Sequence, residues 1–458
     1  MRGGTAVASR AGGAVIRVAN GQGFWGDWLE APVRLVEDGP IDYLTLDYLA
    51  EVTMSILQKQ KARDAALGYA RDFPPLMARI EKSVKARHVR VVANAGGVNP
   101  VACAREVRRL APSLSVAVVT GDDLLPHLDA MIATGCEFSN LDTHEPLATI
   151  RNRVQSANAY IGAHALAGAL DTGVDVVISG RAADAALGLA PMVHAFGWQE
   201  DDWDLLAAGT VAGHIIECGA HSTGGNCQKD WQSIPDLAHI GYPIVEVESD
   251  GTAVVTKHHG SGGRVSLATV KEQLLYEISD PRAYITPDCI ADFTTIHLED
   301  AGRDRVRVSG VRGRARTPFL KVSASYAAGW KAIGTLVYSQ PDALAKATVA
   351  DGIVRTRLRE LDLVFDEIHT EYFGVNALRA GALVPPPDPV EVQLRIGVRG
   401  QDRAMVDRFT RELIPLVLTG PPTATGYGEG RPEVREVVAF WPALVPRALV
   451  SPRVELVA

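Results

Sequence analysis

Between residues 14 and 191, short apolar runs rich in valine and isoleucine alternate with longer segments in which apolar residues recur at helical spacing. Short runs of this kind are typical of buried strands, and the longer pattern is typical of amphipathic helices. The alternation favours repeated βαβ units, so the sequence predicts an α/β fold with a largely parallel sheet flanked by helices. Strands are predicted at 15–19, 42–47, 89–93, 115–119 and 174–178, and helices at 49–63, 100–110 and 157–169.

The pattern changes after residue 197, where glycine, histidine and threonine become more frequent and the apolar runs shorten. The stretch 209–263 is predicted to be a loop-rich, β-containing insertion, followed by antiparallel strands at 292–298, 305–308 and 319–325 and a helix at 342–361. The proline-rich segment 385–389 predicts a linker, and 390–398 and 402–418 predict a strand and a helix of a smaller C-terminal α+β region. A chain of 458 residues is too long for one core, so we predict domains at 14–197, 198–384 and 390–458.

Three polar loops, 20–27, 94–100 and 179–184, each follow a predicted strand. In open parallel sheets, ligands bind beyond the carboxyl ends of the strands, so we expect these loops to face one crevice. The residues predicted to bind substrate there are Asn20, Asp27, Asn94, Asn99 and Arg181. The alternatives left open are helix capping for Asn94 and Asn99 and a local ion pair for Arg181.

The first of these loops has the glycine spacing of a dinucleotide fingerprint, at Gly21, Gly23 and Gly26. Phe24 and Trp25 crowd the place where a phosphate would lie, so a tight turn beside a site is favoured over dinucleotide binding.

Acid–base chemistry is predicted for three residues of the same region. Asp184 lies three residues after Arg181, and His214 and Glu217 would share one face if their segment is helical. A histidine with a carboxylate partner suits a general base, although a purely structural histidine stays open. Asp184, Glu217 and His214 are therefore the predicted catalytic residues.

Two turns further along the chain add substrate-binding candidates. Thr223, Gly224 and Gly225 form one of them, and Lys257 precedes the glycine-rich turn 258–263, which suits an anion. A polar hairpin tip is the alternative for the second turn.

No cofactor follows from the sequence. It gives no evidence for NAD or flavin, and the pattern GxxxxGK[ST] of a common class of nucleotide-binding enzymes is absent. A divalent cation stays open at Asp42, Asp47 and Glu51, where a solvated helix start is the alternative. The five cysteines show no metal-type spacing.

Charge and hydropathy exclude some classes of partner. The net charge is -8, from 54 acidic and 46 basic residues, and the basic residues are scattered, so nucleic acid is not an expected partner. No run of about 20 apolar residues predicts a membrane span, and residues 1–13 lack the apolar stretch of a signal peptide. We therefore expect a soluble cytoplasmic protein.

Several motifs together resemble the acyclic terpene utilisation family AtuA. They are NGQGFWGD at 20–27, NAGGVNP at 94–100, GRAAD at 180–184, GHIIE at 213–217, TGG at 223–225 and YITPD at 284–288. The resemblance implies a role in the breakdown of acyclic terpenes through CoA thioesters, beside an acyl-CoA carboxylase. Larger members of the family carry a small additional C-terminal domain, so a separately encoded small partner subunit is left open, as is a homo-oligomer.

Two hypotheses follow from the residues and the resemblance. The first is a catabolic enzyme of acyclic terpene or branched acyl-CoA metabolism, a lyase or hydratase that acts on a small anionic, carboxylated or CoA-linked substrate. The alternative is a non-catalytic binding or assembly subunit that partners an acyl-CoA carboxylase or another pathway enzyme.

Overall fold

The computed structural model describes residues 15–375, 377–379, 388–426 and 430–457. These residues form two compact units, the first running to Ser325 and resuming at Phe440, and the second spanning Tyr326–Ala439. These bounds coincide with none of the domain boundaries predicted from the sequence. The predicted linker 385–389 lies mostly outside the described residues, as does the N-terminal segment 1–13.

The strands are β1 (Ile16–Gln22), β2 (Tyr43–Leu46), β3 (Arg90–Ala93), β4 (Val116–Thr120), β5 (Val154–Ala159), β6 (Val176–Ser179), β7 (Pro243–Val247), β8 (Ala253–Lys257), β9 (Tyr284–Ile285), β10 (Ile290–Asp292), β11 (His297–Asp300), β12 (Val306–Ser309), β13 (Arg312–Arg314), β14 (Phe319–Ser339), β15 (Glu367–Phe373), β16 (Glu391–Gly400), β17 (Arg435–Pro446) and β18 (Arg453–Val457). The helices are α1 (Glu30–Asp38), α2 (Glu51–Arg63), α3 (Phe73–Arg87), α4 (Pro100–Leu110), α5 (Leu128–Ala133), α6 (Ala163–Leu170), α7 (Asp184–Phe196), α8 (Trp203–Glu217), α9 (Leu267–Leu275), α10 (Ala343–Glu360), α11 (Arg403–Phe409) and α12 (Leu416–Thr419).

A ten-stranded mixed sheet organises the first unit, in the order β11-β12-β8-β7-β1-β2-β3-β6-β4-β18. The five strands from β1 to β4 in this order run parallel. Antiparallel strands extend the sheet on both sides, β7, β8, β12 and β11 on one and β18 on the other. The α/β class is confirmed, but the prediction of a largely parallel sheet was wrong, because hairpin strands from the region after residue 240 join the same sheet.

The parallel strands are buried on both faces, which explains their unbroken apolar sequences. In β3, Val92 packs on the side of α6, α7 and α8, whereas Val91 and Ala93 pack on the side of α1 to α4. Strand β6 alternates in the same way, with Val177 on one side and Ile178 on the other. Because successive side chains of a strand point to opposite faces, alternate residues of these strands pack into two separate cores.

The second unit has the order β14-α10-β15-β16, then α11 and α12, then β17, and its strands lie in the order β15-β16-β14-β17. This βαββαβ arrangement is the ferredoxin-like topology. Its core forms where α10 and α11 cover one face of the sheet. The helix predicted at 402–418 is broken here into α11 and α12.

Two further local predictions were partly wrong. The helix predicted at 157–169 is correct for 163–169, which lie in α6, and wrong for 157–159, which end β5. The polar Gln155 and Asn158 interrupt the apolar pattern of that strand. Residues 209–217, predicted to begin a loop-rich insertion, belong to α8. No helix of the described residues has the length and apolarity needed to cross a membrane.

Candidate active site

The loops after β1, β3 and β6 lie side by side at one edge of the sheet, because these strands run parallel with only β2 between β1 and β3. This arrangement is the one that the prediction of a common crevice requires, and the crevice itself stays a prediction. Polar residues at the strand ends are almost fully buried, including Asn20, Asp47, Asn94, Asp122 and Arg181. Buried polar groups require partners, and their partners define the site.

Arg181 is the largest fully buried side chain among the described residues. Its Nη1 donates to the Leu49 carbonyl at 2.8 Å and to the Asp184 carboxylate at 2.7 Å. Its Cζ lies 4.2 Å from the centre of the Tyr160 ring, a cation–π contact. Arg181 therefore forms the local ion pair that the sequence left open, and it fixes the position of Asp184.

The preceding glycine is required by the buried Asp122. A Cβ atom at Gly180 would collide with both carboxylate oxygens of Asp122. Asp122 in turn accepts hydrogen bonds from the Arg181 backbone N–H at 2.8 Å and from the Asn158 amide at 2.9 Å. Burial raises the pKa of Asp122 to about 6, against these hydrogen bonds.

Asp184 begins α7 and exposes 39% of its side chain, which makes it the most accessible carboxylate of this group. Helices α7 and α8 cross closely, and the crossing requires a glycine at Gly213, because a Cβ there would collide with the Ala185 carbonyl. The crossing brings Asp184 near Glu217, and the Asp184 charge contributes to a raised pKa of Glu217. Two acidic groups from different helices thus lie close enough to interact electrostatically.

His214 and Glu217 form a buried pair on one face of α8. His214 Nδ1 lies 2.7 Å from Glu217 Oε1, and His214 Nε2 lies 3.0 Å from the Gln273 carbonyl oxygen. A carbonyl only accepts, so Nε2 carries a proton and Nδ1 faces the carboxyl group. The proton between Nδ1 and Oε1 then belongs either to a neutral acid or to an imidazolium–carboxylate pair.

The surroundings shift the pKa values of both members of this pair. Burial raises the pKa of Glu217 to about 6, although His214 opposes the rise. Burial alone would lower the pKa of His214, but the Glu217 carboxylate raises it overall. Glu217 Oε2 is buried and has no hydrogen-bond partner among the described residues. The pair therefore has one buried oxygen without a partner among the described residues and a proton that is exchangeable near neutral pH.

Gln273 orients this pair, although its role was not predicted from the sequence. Its side-chain amide donates to the His214 carbonyl at 2.7 Å, and its Oε1 lies 2.6 Å from His221 Nδ1. The sequence feature that could have identified Gln273 is a polar residue at a helical position shared with the apolar Val270 and Leu274, and the structure shows that all three are buried in α9.

Asp47 and Asn94 form a second buried cluster beside Arg181. The Asn94 amide donates to Asp47 Oδ1 at 2.6 Å and accepts from the Tyr48 backbone N–H at 2.7 Å. Burial, and then the charge of Asp184, raises the pKa of Asp47 well above its usual range. Both polar groups of Asn94 are thus used inside the protein, and Asn94 braces Asp47.

The cation site considered for Asp42, Asp47 and Glu51 is not formed. Asp42 and Asp47 bracket β2 at opposite ends, about 16 Å apart at the rise of a strand. Glu51 is bound instead by the Tyr160 hydroxyl at 2.8 Å and by Lys321 at 3.3 Å. Within the described ranges, no group of three or more histidine, cysteine or acidic side chains is arranged to hold a metal ion.

Glu51 gives a pH-dependent prediction. Burial would raise its pKa, but its own backbone N–H, the Tyr160 hydroxyl and Arg181 outweigh burial and hold the pKa at about 2. A pKa that is lower in the folded than in the unfolded state stabilises the fold at pH values above the ordinary pKa of 4.5. This stabilisation is lost as the pH falls towards 2. We expect Glu51→Gln to be less stable than the parent in urea unfolding at pH 7, with a gap that narrows at pH 3. A gap independent of pH would contradict this assignment, and Tyr160→Phe should show part of the same effect.

Three other candidates build the loops. The Asn20 amide donates to the Glu217 carbonyl at 2.8 Å and so ties β1 to the end of α8. Asp27 accepts from the Gly23 and Trp28 backbone N–H groups and from the Tyr242 hydroxyl. Asn99 donates to the carbonyls of Ala65 and Leu67. In this arrangement their hydrogen bonds lie within the protein, and direct substrate contact by any of them stays a prediction.

The turn at Thr223, Gly224 and Gly225 lies directly after α8. The Thr223 hydroxyl donates to the carbonyls of Ala220 and Gly241, at 2.9 and 2.6 Å, which anchors the turn. Lys257 ends β8, five strand positions from β6, or about 24 Å across the sheet. The structure thus brings Arg181, Asp184, His214 and Glu217 together and leaves Lys257 apart from them.

Comparison with known proteins gives one result. The family model described as "Acyclic terpene utilisation family protein AtuA" matches residues 16–456. No curated protein and no solved structure matches the chain significantly. The match extends over both units and includes every residue of the candidate site. The chain therefore belongs to the acyclic terpene utilisation family AtuA, which implies involvement in the utilisation of acyclic terpenes.

Proposed function

We propose that this protein is a catabolic enzyme, a hydratase or carbon–carbon lyase that acts on a carboxylated or CoA-linked branched substrate. The observation that carries the proposal is the buried His214–Glu217 pair. Glu217 Oε2 has no partner in the part of the chain that is described, and burial raises the pKa of Glu217 to about 6. A carboxyl group with this pKa donates and accepts protons readily at neutral pH.

Glu217 is the proposed proton-transfer group. In a hydratase or lyase, a base removes a proton from the carbon next to a carboxyl or thioester carbonyl, and the reverse reaction returns it. His214 holds Glu217 in place and shares its proton, because both ring nitrogens are already hydrogen-bonded. The more exposed Asp184 is the proposed second group, suited to orient water or a substrate hydroxyl.

Arg181 supports these groups electrostatically. Besides burial, the Asp184 charge raises the pKa of both Asp47 and Glu217, and Arg181, which is paired with Asp184, opposes the rise at Asp47. In this proposal Arg181 is a positioning residue, and a substrate carboxylate that entered beside it would compete with Asp184 for the same guanidinium group.

The test is incubation of the purified chain with branched unsaturated acids and their CoA thioesters in D2O, followed by mass spectrometry. We expect deuterium incorporation next to the carbonyl, or gain of one molecule of water, for at least one substrate. Asp184→Asn should lower this turnover at least about tenfold, whereas Asp129→Asn, which removes an exposed carboxylate paired with Arg151, should not. If no substrate exchanges or gains water, the proposal fails and the assembly-subunit alternative gains support.

A further inference from the structure

A large cavity of the first unit lies outside the candidate active site, since its lining includes none of Arg181, Asp184, His214 and Glu217. It is made of a smaller part of about 410 Å³ and a larger groove of about 1970 Å³. The two parts share Asp38, Asp236 and residues 258–261 of their linings, so they form one continuous space. We call this space the β8 cleft, because its centre is the turn 258–263 that follows β8.

The smaller part of the β8 cleft has an aromatic wall. Trp28 and Tyr242 both line it, with ring centres 6.4 Å apart. Arg34 lies over the Trp28 ring, with its Cζ 4.8 Å from the ring centre. The two rings are tilted by 44° and form a wall, not a parallel stack. A planar heterocycle can lie against an aromatic wall of this kind, because every purine has a π face.

The larger part carries many cations. Its lining includes six lysines and arginines and two histidines, against six carboxylates. Two of the carboxylates already have partners. Glu246 is paired with Arg17 and Arg305, and Glu272 accepts from the backbone N–H groups of Gln228 and Lys229.

Arg264 and Lys271 are among the cations of this part that have no such compensation. Across the described residues, neither Arg264 nor Lys271 is paired with a carboxylate, and Arg264 is held only by hydrogen bonds to Ser233. The first turn of α9 also lines the groove; the Ser266 side chain caps the Thr269 N–H, and the N–H groups of Leu267 and Ala268 have no partner within the helix. Such a surface favours phosphate groups.

We infer that the β8 cleft binds an adenosine diphosphate group, with the base against the Trp28–Arg34 wall and the phosphates near Arg264 and Lys271. Free adenine nucleotides and CoA both carry this group. The inference does not depend on proton transfer by Glu217. If the ligand is CoA, it adds to the proposed function, since the wall residue Tyr242 lies beside Gly219, two residues after Glu217.

The test is isothermal titration calorimetry of the full chain with ADP, CoA and pyrophosphate. We expect ADP and CoA to bind, and pyrophosphate to bind at least about tenfold more weakly, because it cannot use the aromatic wall. Lys271→Ala and Arg264→Ala should each weaken ADP binding about tenfold, the usual effect of losing one charged hydrogen bond. Trp28→Leu should weaken ADP binding and leave pyrophosphate binding unchanged.

Lys82→Ala is the matched control, because it removes another exposed lysine from a helix, α3, outside the cleft. CoA binding about tenfold or more tighter than ADP would identify CoA as the ligand. Equal binding would show that the cleft recognises only the shared adenosine diphosphate group. No binding of either at millimolar concentration, equal affinity for pyrophosphate, or equal losses in Lys82→Ala and Lys271→Ala would overturn the inference. Glu217→Gln should bind ADP and CoA as the parent does, so a failure of the proposed chemistry and a failure of the cleft can be told apart.

Discussion

Glu217→Gln should reduce turnover of the substrate identified in the D2O screen by a factor of about 10² to 10⁴, the usual contribution of a positioned general acid or base. Glutamine has nearly the same shape and can still bond to His214 Nδ1, so the fold should be retained. It carries no exchangeable carboxyl proton, however, and this is the property that the mechanism needs. Circular dichroism and the thermal midpoint should match those of the parent.

The pH profile provides the sharper measurement. Because burial raises the pKa of Glu217 to about 6, we expect kcat/KM of the parent to change with an inflection near pH 6. The inflection should be absent from the residual activity of Glu217→Gln. Glu277→Gln is the matched control, because Glu277 is an exposed carboxylate whose charge also raises the pKa of Glu217. This control should keep most of the turnover and move the inflection to lower pH. An unchanged profile in Glu217→Gln would assign the inflection to another group.

Arg181→Leu should destabilise the protein by about 3 to 5 kcal/mol, the usual cost of removing one partner from a buried ion pair. The Arg181 side chain is 2% exposed, and its loss would leave Asp47 and Asp184 without a compensating charge. The measurement is the urea unfolding midpoint at pH 7, followed by circular dichroism.

Arg79→Leu is a suitable comparison, because Arg79 forms a two-bonded ion pair with Glu30 in which both side chains are nearly half exposed. Exposed pairs contribute about 0 to 1 kcal/mol, so this variant should unfold close to the parent. Similar losses in the two variants would mean that Arg181 is not the electrostatic centre of the cluster. Raising the pH should worsen Arg181→Leu further, because Asp47, whose pKa is raised, would ionise without a cation nearby.

The parallel core of the first unit could be predicted from the sequence, whereas the full sheet could not. Strands such as Arg90–Ala93 and Val176–Ser179 are buried on both sides, so their apolar runs are distinct and their ends predictable. Strands such as Pro243–Val247 give no local signal for the sheet they join, since pairing is decided by contacts far along the chain. The ferredoxin-like topology of the second unit was missed for the same reason.

The candidate site was predicted unevenly. The contact between His214 and Glu217 could be predicted, because residues three positions apart on a helix lie next to each other on one face. Tyr160 was missed because it follows a strand mistaken for a helix, and Lys321 because it lies far along the chain from Glu51. Sequence spacing also could not separate residues that brace the loops, such as Asn94, from residues that face the crevice. That distinction depends on which hydrogen bonds are already satisfied, and only tertiary structure shows it.

The position of β18 has a consequence during synthesis. This strand pairs with β4 at one edge of the main sheet, although the whole second unit is encoded between them. Until residues 453–457 leave the ribosome, the outer edge of β4 therefore presents unpaired backbone groups on a nascent chain. An exposed edge of this kind invites pairing with other chains, so the growing polypeptide should depend on chaperones late in translation. A stop codon just before Arg453 should then yield aggregated protein although the candidate active site is fully encoded.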